Sequence, residues 1–183
     1  MSATALLAAV ALAAEPAAAF MGRTLAGTMS HHGAPWLTRK SRQEEERPDL
    51  LHATLGLAPG DTACDIGAGN GFHTLPMARM VSPGGLALGV DIQVEMLDLL
   101  RRRAASQGVG NVRVVHNTQA GVALPPGTCD LALMVDVYHE LADPAAMLRS
   151  LYEALQPDGE LVVVEYREED PAVPIKALHK MSK

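Results

Sequence analysis

The chain predicts an α/β fold: a doubly wound, mainly parallel sheet of about five strands in the order 3-2-1-4-5, with helices on both faces. Three observations carry this. Strand-like apolar runs alternate with helix-length amphipathic runs between residues 62 and 166, the pattern of successive βαβ units. A glycine turn, Gly67-Ala68-Gly69-Asn70-Gly71, joins the first strand-like run to the helix after it. Asp91 ends the second strand-like run, roughly the twenty residues on that a nucleotide fingerprint requires.

The elements follow in order. Residues 5–14 are apolar but too short to cross a bilayer, so no membrane span is expected. They resemble the core of a signal peptide, with Ala17-Ala18-Ala19 as a small-residue cleavage site, although no Lys or Arg precedes them. Residues 1–19 therefore read either as a targeting peptide, making the protein exported or organellar, or as an Ala-rich head on a cytoplasmic protein. Residues 20–48 form an N-terminal segment suited to act as a lid. Within it, Glu44-Glu45-Glu46 reads as a solvated helix end, and Trp36 as either a cap on an acceptor pocket or an anchor for the segment. Pro48 opens a helix over 49–57.

A strand over 62–66 is followed by a helix over 72–81, ended by Ser82-Pro83-Gly84-Gly85. Next come a strand over 86–91, an amphipathic helix over 94–107 stopped by Gly108 and Gly110, and a strand over 112–116. The unbroken apolar run in 130–137 suits a buried parallel strand. Asp143 and Pro144 cap and open a helix over 145–155, and Gln156-Pro157-Asp158-Gly159 turns into a strand over 160–166. Residues 49–166 thus form one Rossmann-like core. With right-handed crossovers, its ligand crevice lies beyond the C-terminal ends of the strands, at the switch point.

Composition narrows the function. A formal net charge of -6 argues against a protein that grips nucleic acid by charge, and no nucleic-acid partner is expected. The three arginines Arg101-Arg102-Arg103 point different ways on a helix and read as a solvated face. Cys64 and Cys129 fall in core strands without a Cys-x-x-Cys or Cys/His pattern. They read as reduced and buried, and no metal is expected.

Asp65-Ile66-Gly67-Ala68-Gly69-Asn70-Gly71 has an acid at its head and glycines at alternate positions. Glycines at a strand-to-helix turn let backbone approach a ligand without a Cβ in the way. A carboxylate at the next strand end accepts hydrogen bonds from a ribose. Together they suit an adenosine-containing small molecule. The leading acid favours S-adenosylmethionine over a dinucleotide, because Asp65 would repel a pyrophosphate. The alternatives are an NAD(P)-dependent oxidoreductase, whose turn would read Gly-x-Gly-x-x-Gly, and a protein that binds S-adenosylmethionine without turnover.

These residues resemble the class I S-adenosylmethionine-dependent methyltransferases, in the group that includes ubiquinone- and menaquinone-biosynthesis-like enzymes. The motifs are 65–71, Val90-Asp91-Ile92, Asp130-Leu131-Ala132-Leu133-Met134-Val135-Asp136 and Leu155-Gln156-Pro157-Asp158-Gly159-Glu160-Leu161, covering roughly residues 49–166. Val164-Glu165-Tyr166-Arg167 and His179-Lys180-Met181 resemble a subgroup of unnamed substrate. The resemblance implies that Asp65 holds the amino end of the methionine moiety. Gly67, Ala68, Gly69 and Gly71 would lie against the cofactor, Asp91 would take the ribose hydroxyls, and Ile92 would pack on adenine. The family often reads the adenine edge with an acid after the third strand. Here the stretch is His116-Asn117-Thr118-Gln119, leaving Asn117 or Gln119 to substitute. Asp136 would border the methyl donor.

The family sheet normally has seven strands. Five leave the last as an exposed apolar edge, which predicts either further chain beyond Lys183 or a partner or second copy against that edge. Residues 167–183 read as the start of a further helix, which Ser182 would cap. The implied activity is methyl transfer to an unidentified small-molecule acceptor. Tyr138 and His139 are the candidate catalytic residues, with His139 read either as a base or as a backbone-bonded helix-start residue. Glu140 reads as an early-helix charge, and His73 as either a cap or a group facing the methyl donor.

Overall fold

The structure, a computed structural model, describes residues 19–173 and 175–182. The targeting-peptide reading of residues 1–18 lies outside them. The described chain opens with a short hairpin, β1 (Ala19–Phe20) and β2 (Arg23–Thr24), then two 3-10 turns and the short helices α1 (Arg42–Glu46) and α2 (Pro48–Thr54). The core follows as β3 (Thr62–Ile66), α3 (Thr74–Met80), β4 (Leu86–Asp91), α4 (Val94–Ser106), β5 (Val112–His116), β6 (Cys129–Val135), α5 (Pro144–Ala154) and β7 (Leu155–Val164). It closes with β8 (Tyr166–Arg167), a 3-10 turn and β9 (Lys180–Met181).

The five long strands form one sheet in the order β5-β4-β3-β6-β7, every pairing parallel, as the sequence predicts. Alternation along each strand divides the core. Cys64, Ile66, Ala132 and Met134 face one side, where they pack with Met147, Leu151 and Ala154 of α5. Ala63, Leu131 and Leu133 face the other, against Leu55 beside α2 and Met77 of α3. Leu100 and Ala104 of α4 pack with Ala68 and Leu75 on that second side. Asp143 caps α5 as read, its carboxylate accepting the Ala146 N–H at 2.9 Å.

Several readings change. Cys64 and Cys129 are joined in a disulfide rather than reduced. No sequence spacing links residues so far apart; the pairing arises because the strand order sets β3 beside β6. The first core helix starts at Thr74, since residues 67–73 are spent in the glycine turn. The turn at 156–159 is absorbed into β7 as an irregularity: Cys129 pairs with Leu155, but Leu131 already pairs with Glu160. β7 forms the outer strand on its side of the described sheet, with Val163 exposed. Where the sequence suggests the start of a helix, Ala177–His179 form a 3-10 turn, and β9 runs parallel to β8. No helix among the described residues is long and apolar enough to cross a membrane.

Gly71 does not border the crevice; it serves close packing. Its φ is +86°, and a Cβ there would overlap Leu100 Cδ1. Gly108 has φ +66° but open space around it. Gly71→Ala is therefore expected to destabilise the fold by about 1–3 kcal/mol from strain and overpacking together. Gly108→Ala, carrying strain alone, should cost less. Denaturant unfolding of the two variants checks the order, and equal losses would contradict it.

Candidate active site

The C-terminal ends of β3, β4, β5 and β6 border one crevice, enclosing about 1080 Å³ of space that is partly open to solvent. The glycine turn forms its floor. Gly67 and Ala68 donate their N–H groups to the Val90 carbonyl at 2.8 and 3.0 Å. Gly69 donates to Asp91 Oδ2 at 2.8 Å, while Asp91 Oδ1 accepts from Gln93 N–H at 2.8 Å. Both Asp91 oxygens thus hold one backbone donor and keep a lone pair for a further one. Burial pushes the Asp91 carboxyl pKa up, and the backbone N–H groups pull against it.

Asp65 lies deeper, buried at the end of β3, with Oδ2 accepting the Thr74 hydroxyl. Burial raises its pKa to about 6. Ile92, Asn117, Thr118 and Gln119 line the opposite wall. Asn117 is buried, and its Oδ1 has no hydrogen-bond partner. An unpaired buried acceptor of this kind costs free energy unless a ligand or water meets it.

The N-terminal segment runs along the crevice and contributes Thr28, Met29, Leu37 and Arg42 to it. Gln93 Nε2 donates to the Met29 carbonyl at 2.8 Å, and Gln93 Oε1 accepts the His31 N–H at 2.9 Å. Asn70 Nδ2 donates to the Ala34 carbonyl at 2.8 Å. Arg42 is buried, pairs with Glu46 at 2.7 Å and lies 4.0 Å over the Phe72 ring. Glu46 is therefore an internal partner, not part of a solvated helix end. Trp36 does not line the crevice; it sits exposed beneath the Arg39 guanidinium. Arg103 is not purely solvated either, since its Nη1 donates to the Asn70 carbonyl at 2.6 Å.

The other end of the crevice is built by the loop after β6. Asp136 has a left-handed backbone, φ +58°, uncommon for a residue with a side chain. Glu165, just past β7, holds this loop: Oε1 accepts the N–H groups of Val137 and Tyr138 at 3.0 and 2.6 Å, and Oε2 meets His139 Nδ1 at 2.7 Å. His139 is fully buried behind the crevice wall, and its Nε2 stands 2.9 Å from Nδ1 of His179. Burial opposes the charged form of His139, but Glu165, Asp136 and Glu140 outweigh it and raise its pKa. Burial lowers that of His179. Asp136, Glu140 and His179 border the crevice directly, and burial pushes the two carboxyls up to about 6 and about 7.

Of the two predicted catalytic residues, Tyr138 packs against the core and does not line the crevice, because Glu165 turns its backbone inward. His139 reaches the crevice only through its neighbours. Glu165, His179 and Arg42 were missed as site residues; the only sequence signal for the first two was their place in the 164–167 and 179–181 motifs.

His73 stands at the N-cap position of α3 without a side-chain capping bond, buried and lining the crevice. Its Nδ1 lies 3.0 Å from His52 Nε2, and its Nε2 has no partner. Burial, with Arg42 and His52 nearby, pushes its pKa down to about 3 from an ordinary 6.5. The folded state thus refuses a proton that the unfolded chain takes up as pH falls below 6.5. The stability from this site is present above that pH and lost on the way down to about 3. His73→Asn, which cannot charge, is expected to flatten the acid-side fall of the urea midpoint. An unchanged slope would contradict this.

Residues 63–159 match the methyltransferase domain family. A ubiquinone/menaquinone biosynthesis C-methyltransferase UbiE of Marinomonas sp. (strain MWYL1) is 32% identical over 112 residues, 61% of this chain and 45% of that protein. An uncharacterized 37.1 kDa protein in transposon TN4556 of Streptomyces fradiae is 34% identical over 111 residues, 61% of this chain and 32% of its own length. The chain therefore spans less than half the length of these curated relatives. Among solved structures, a SAM-dependent methyltransferase from Aquifex aeolicus superposes with a TM-score of 0.79 at 26% identity, over 85% of this chain and 82% of that one. The chain belongs to the class I, S-adenosylmethionine-dependent methyltransferase family, whose cofactor is S-adenosylmethionine.

Proposed function

We propose that the chain binds S-adenosylmethionine along the crevice and directs its methyl group to a small polar acceptor beside Asp136, Glu140 and His179. The observation that carries this is the convergence of Asp65, the Gly67–Gly69 backbone, Asp91, Ile92 and Asn117 on one strand-end crevice. The residues fit the cofactor. Each Asp91 oxygen keeps a lone pair for one ribose hydroxyl, and Ile92 offers an apolar face to adenine. The unpartnered Asn117 Oδ1 suits the adenine amino group and favours Asn117 over Gln119 for that contact. Asp65 would hold the ammonium of the methionine moiety, with Thr74 keeping its carboxylate in place.

When bound, S-adenosylmethionine supplies a methyl group on a positively charged sulfur, already a good leaving group. The protein's task is then to place the acceptor in line with it, and such positioning is worth roughly 7–11 kcal/mol. Asp136, with its constrained backbone, holds one side of that position. A second cavity of about 210 Å³ shares His73, Val135 and Asp136 with the crevice and adds Glu45, Glu46, Glu165 and Tyr166. Those carboxylates favour an acceptor with hydrogen-bond donors over a purely apolar one. Several relatives carry a quinone-biosynthesis C-methyltransferase name, so quinone-ring precursors with phenolic hydroxyls are the first acceptors to screen. The segment with Thr28, Met29 and Leu37 would cover the bound cofactor.

Asp91→Asn keeps one carbonyl acceptor for the turn but removes the charge that the ribose hydroxyls would meet. A hydrogen bond to a charged group contributes about 1.5–3 kcal/mol, so S-adenosylhomocysteine affinity should fall roughly 10- to 100-fold in a sample that circular dichroism shows to be folded. Calorimetric titration measures this, and unchanged affinity would overturn the ribose assignment. Cofactor binding without methyl transfer to any acceptor would instead favour a binding protein without turnover.

A further inference from the structure

We propose that Asp136, His139 and His179 form a site for a divalent transition-metal ion at the acceptor end of the crevice. His139 Nδ1 lies 2.7 Å from Glu165 Oε2, and a carboxylate there requires Nδ1 to carry hydrogen. Neutral His139 therefore aims the lone pair of Nε2 at Nδ1 of His179, 2.9 Å away. Between two nitrogens so close lies either a hydrogen, which neutral His179 would donate from Nδ1, or a metal ion.

Two observations favour the metal. A ligand atom from each of the three residues lies within 4.8 Å of the others, and Asp136 Oδ1 is a buried acceptor without a hydrogen-bond partner. The nearest His139 atom given for that oxygen is Nδ1 at 3.7 Å, too far for a hydrogen bond, so a hydrogen bond between the imidazoles alone leaves it unpaired; an ion would use it. The left-handed backbone of Asp136 brings the carboxylate to this place, and strain of that kind persists where the surroundings over-determine it.

The ligand chemistry fits a borderline ion such as Zn²⁺. Two imidazoles and a carboxylate leave a further coordination position open, and the carboxylate behind His139 is the usual second partner of a metal-bound histidine. Bonds of about 2.1 Å set tetrahedral ligand atoms roughly 3.4 Å apart, so the imidazoles would separate by a few tenths of an ångström on binding. Because Asp136 and His179 border the crevice while His139 stands behind it, the open position faces the acceptor space. The site would take a hydroxyl or thiol of the acceptor. This last point rests on the methyltransferase reading; the ion site does not.

The test is a calorimetric titration of the full, chelator-stripped chain with Zn²⁺, and of the same sample with S-adenosylhomocysteine. Cobalt(II) loading followed by visible absorption supplies a readout on the unaltered chain. The expected result is one equivalent of Zn²⁺ bound, and the intense absorption bands of low-coordinate cobalt. His179→Ala should abolish binding, and Glu165→Gln should weaken it about 10- to 100-fold. The adjacent pair in the N-terminal segment, altered as His31→Ala with His32→Ala, should leave it unchanged. No Zn²⁺ bound by the folded unaltered chain would overturn the site and leave a hydrogen bond between the two imidazoles. Binding that survives His179→Ala, or that is lost only with His31 and His32, would overturn it as well. Analogue binding without Zn²⁺ defeats only the metal site; Zn²⁺ binding without the analogue defeats only the cofactor reading.

Discussion

The turn after β3 takes its shape from the end of β4. The Val90 carbonyl accepts two consecutive N–H groups from the turn, and the Asp91 carboxylate accepts a third from Gly69. A glycine turn has much conformational freedom to lose, and these bonds select one arrangement of it. The same carboxylate also holds Gln93 N–H, and Gln93 in turn secures Met29 and His31. One strand end thus shapes the floor of the crevice and fixes the segment lying over it. Asp91 therefore serves the fold as well as any ligand, and its burial is tolerable because backbone donors meet both of its oxygens.

Glu165 plays the corresponding part at the other end. Its carboxylate gathers two backbone N–H groups and an imidazole from the loop after β6, so the loop cannot relax around Asp136. The 3-10 turn at Ala177–His179 then brings a second imidazole against the first. The hairpin docks here too: the His139 carbonyl accepts from Arg23 Nη2 at 2.6 Å and Ala26 N–H at 3.4 Å. Segments from both ends of the described chain meet at one buried histidine. Changes near residues 20–26 or 175–181 would consequently be felt at the crevice.

What could be read from sequence follows from how local each signal is. The sheet order and the Asp65–Gly71 turn rest on short patterns, apolar runs and glycines at fixed offsets, and they survive folding nearly unchanged. Asp91 was legible because its distance from the turn is set by one helix and one strand. Arg42 was not: it lies in a charged block without a motif, and only packing against Phe72 and pairing with Glu46 bury it. His179 and the Cys64–Cys129 bridge depend on contacts 40 and 65 residues apart, which no spacing encodes. Tyr138 misled because it adjoins the right residues; one buried carboxylate decides that its ring faces the core.

The central claim is that the cofactor binds at the strand ends around the glycine turn. The most direct measurement is a nuclear magnetic resonance titration of the isotope-labelled chain with S-adenosylhomocysteine, following the glycine amides. Gly67 and Gly69 should shift together with Ile92 and Asn117, while Gly84 and Gly108, at the opposite end of the sheet, stay still. Shifts confined to that opposite end, or none at all in a folded sample, would contradict the claim.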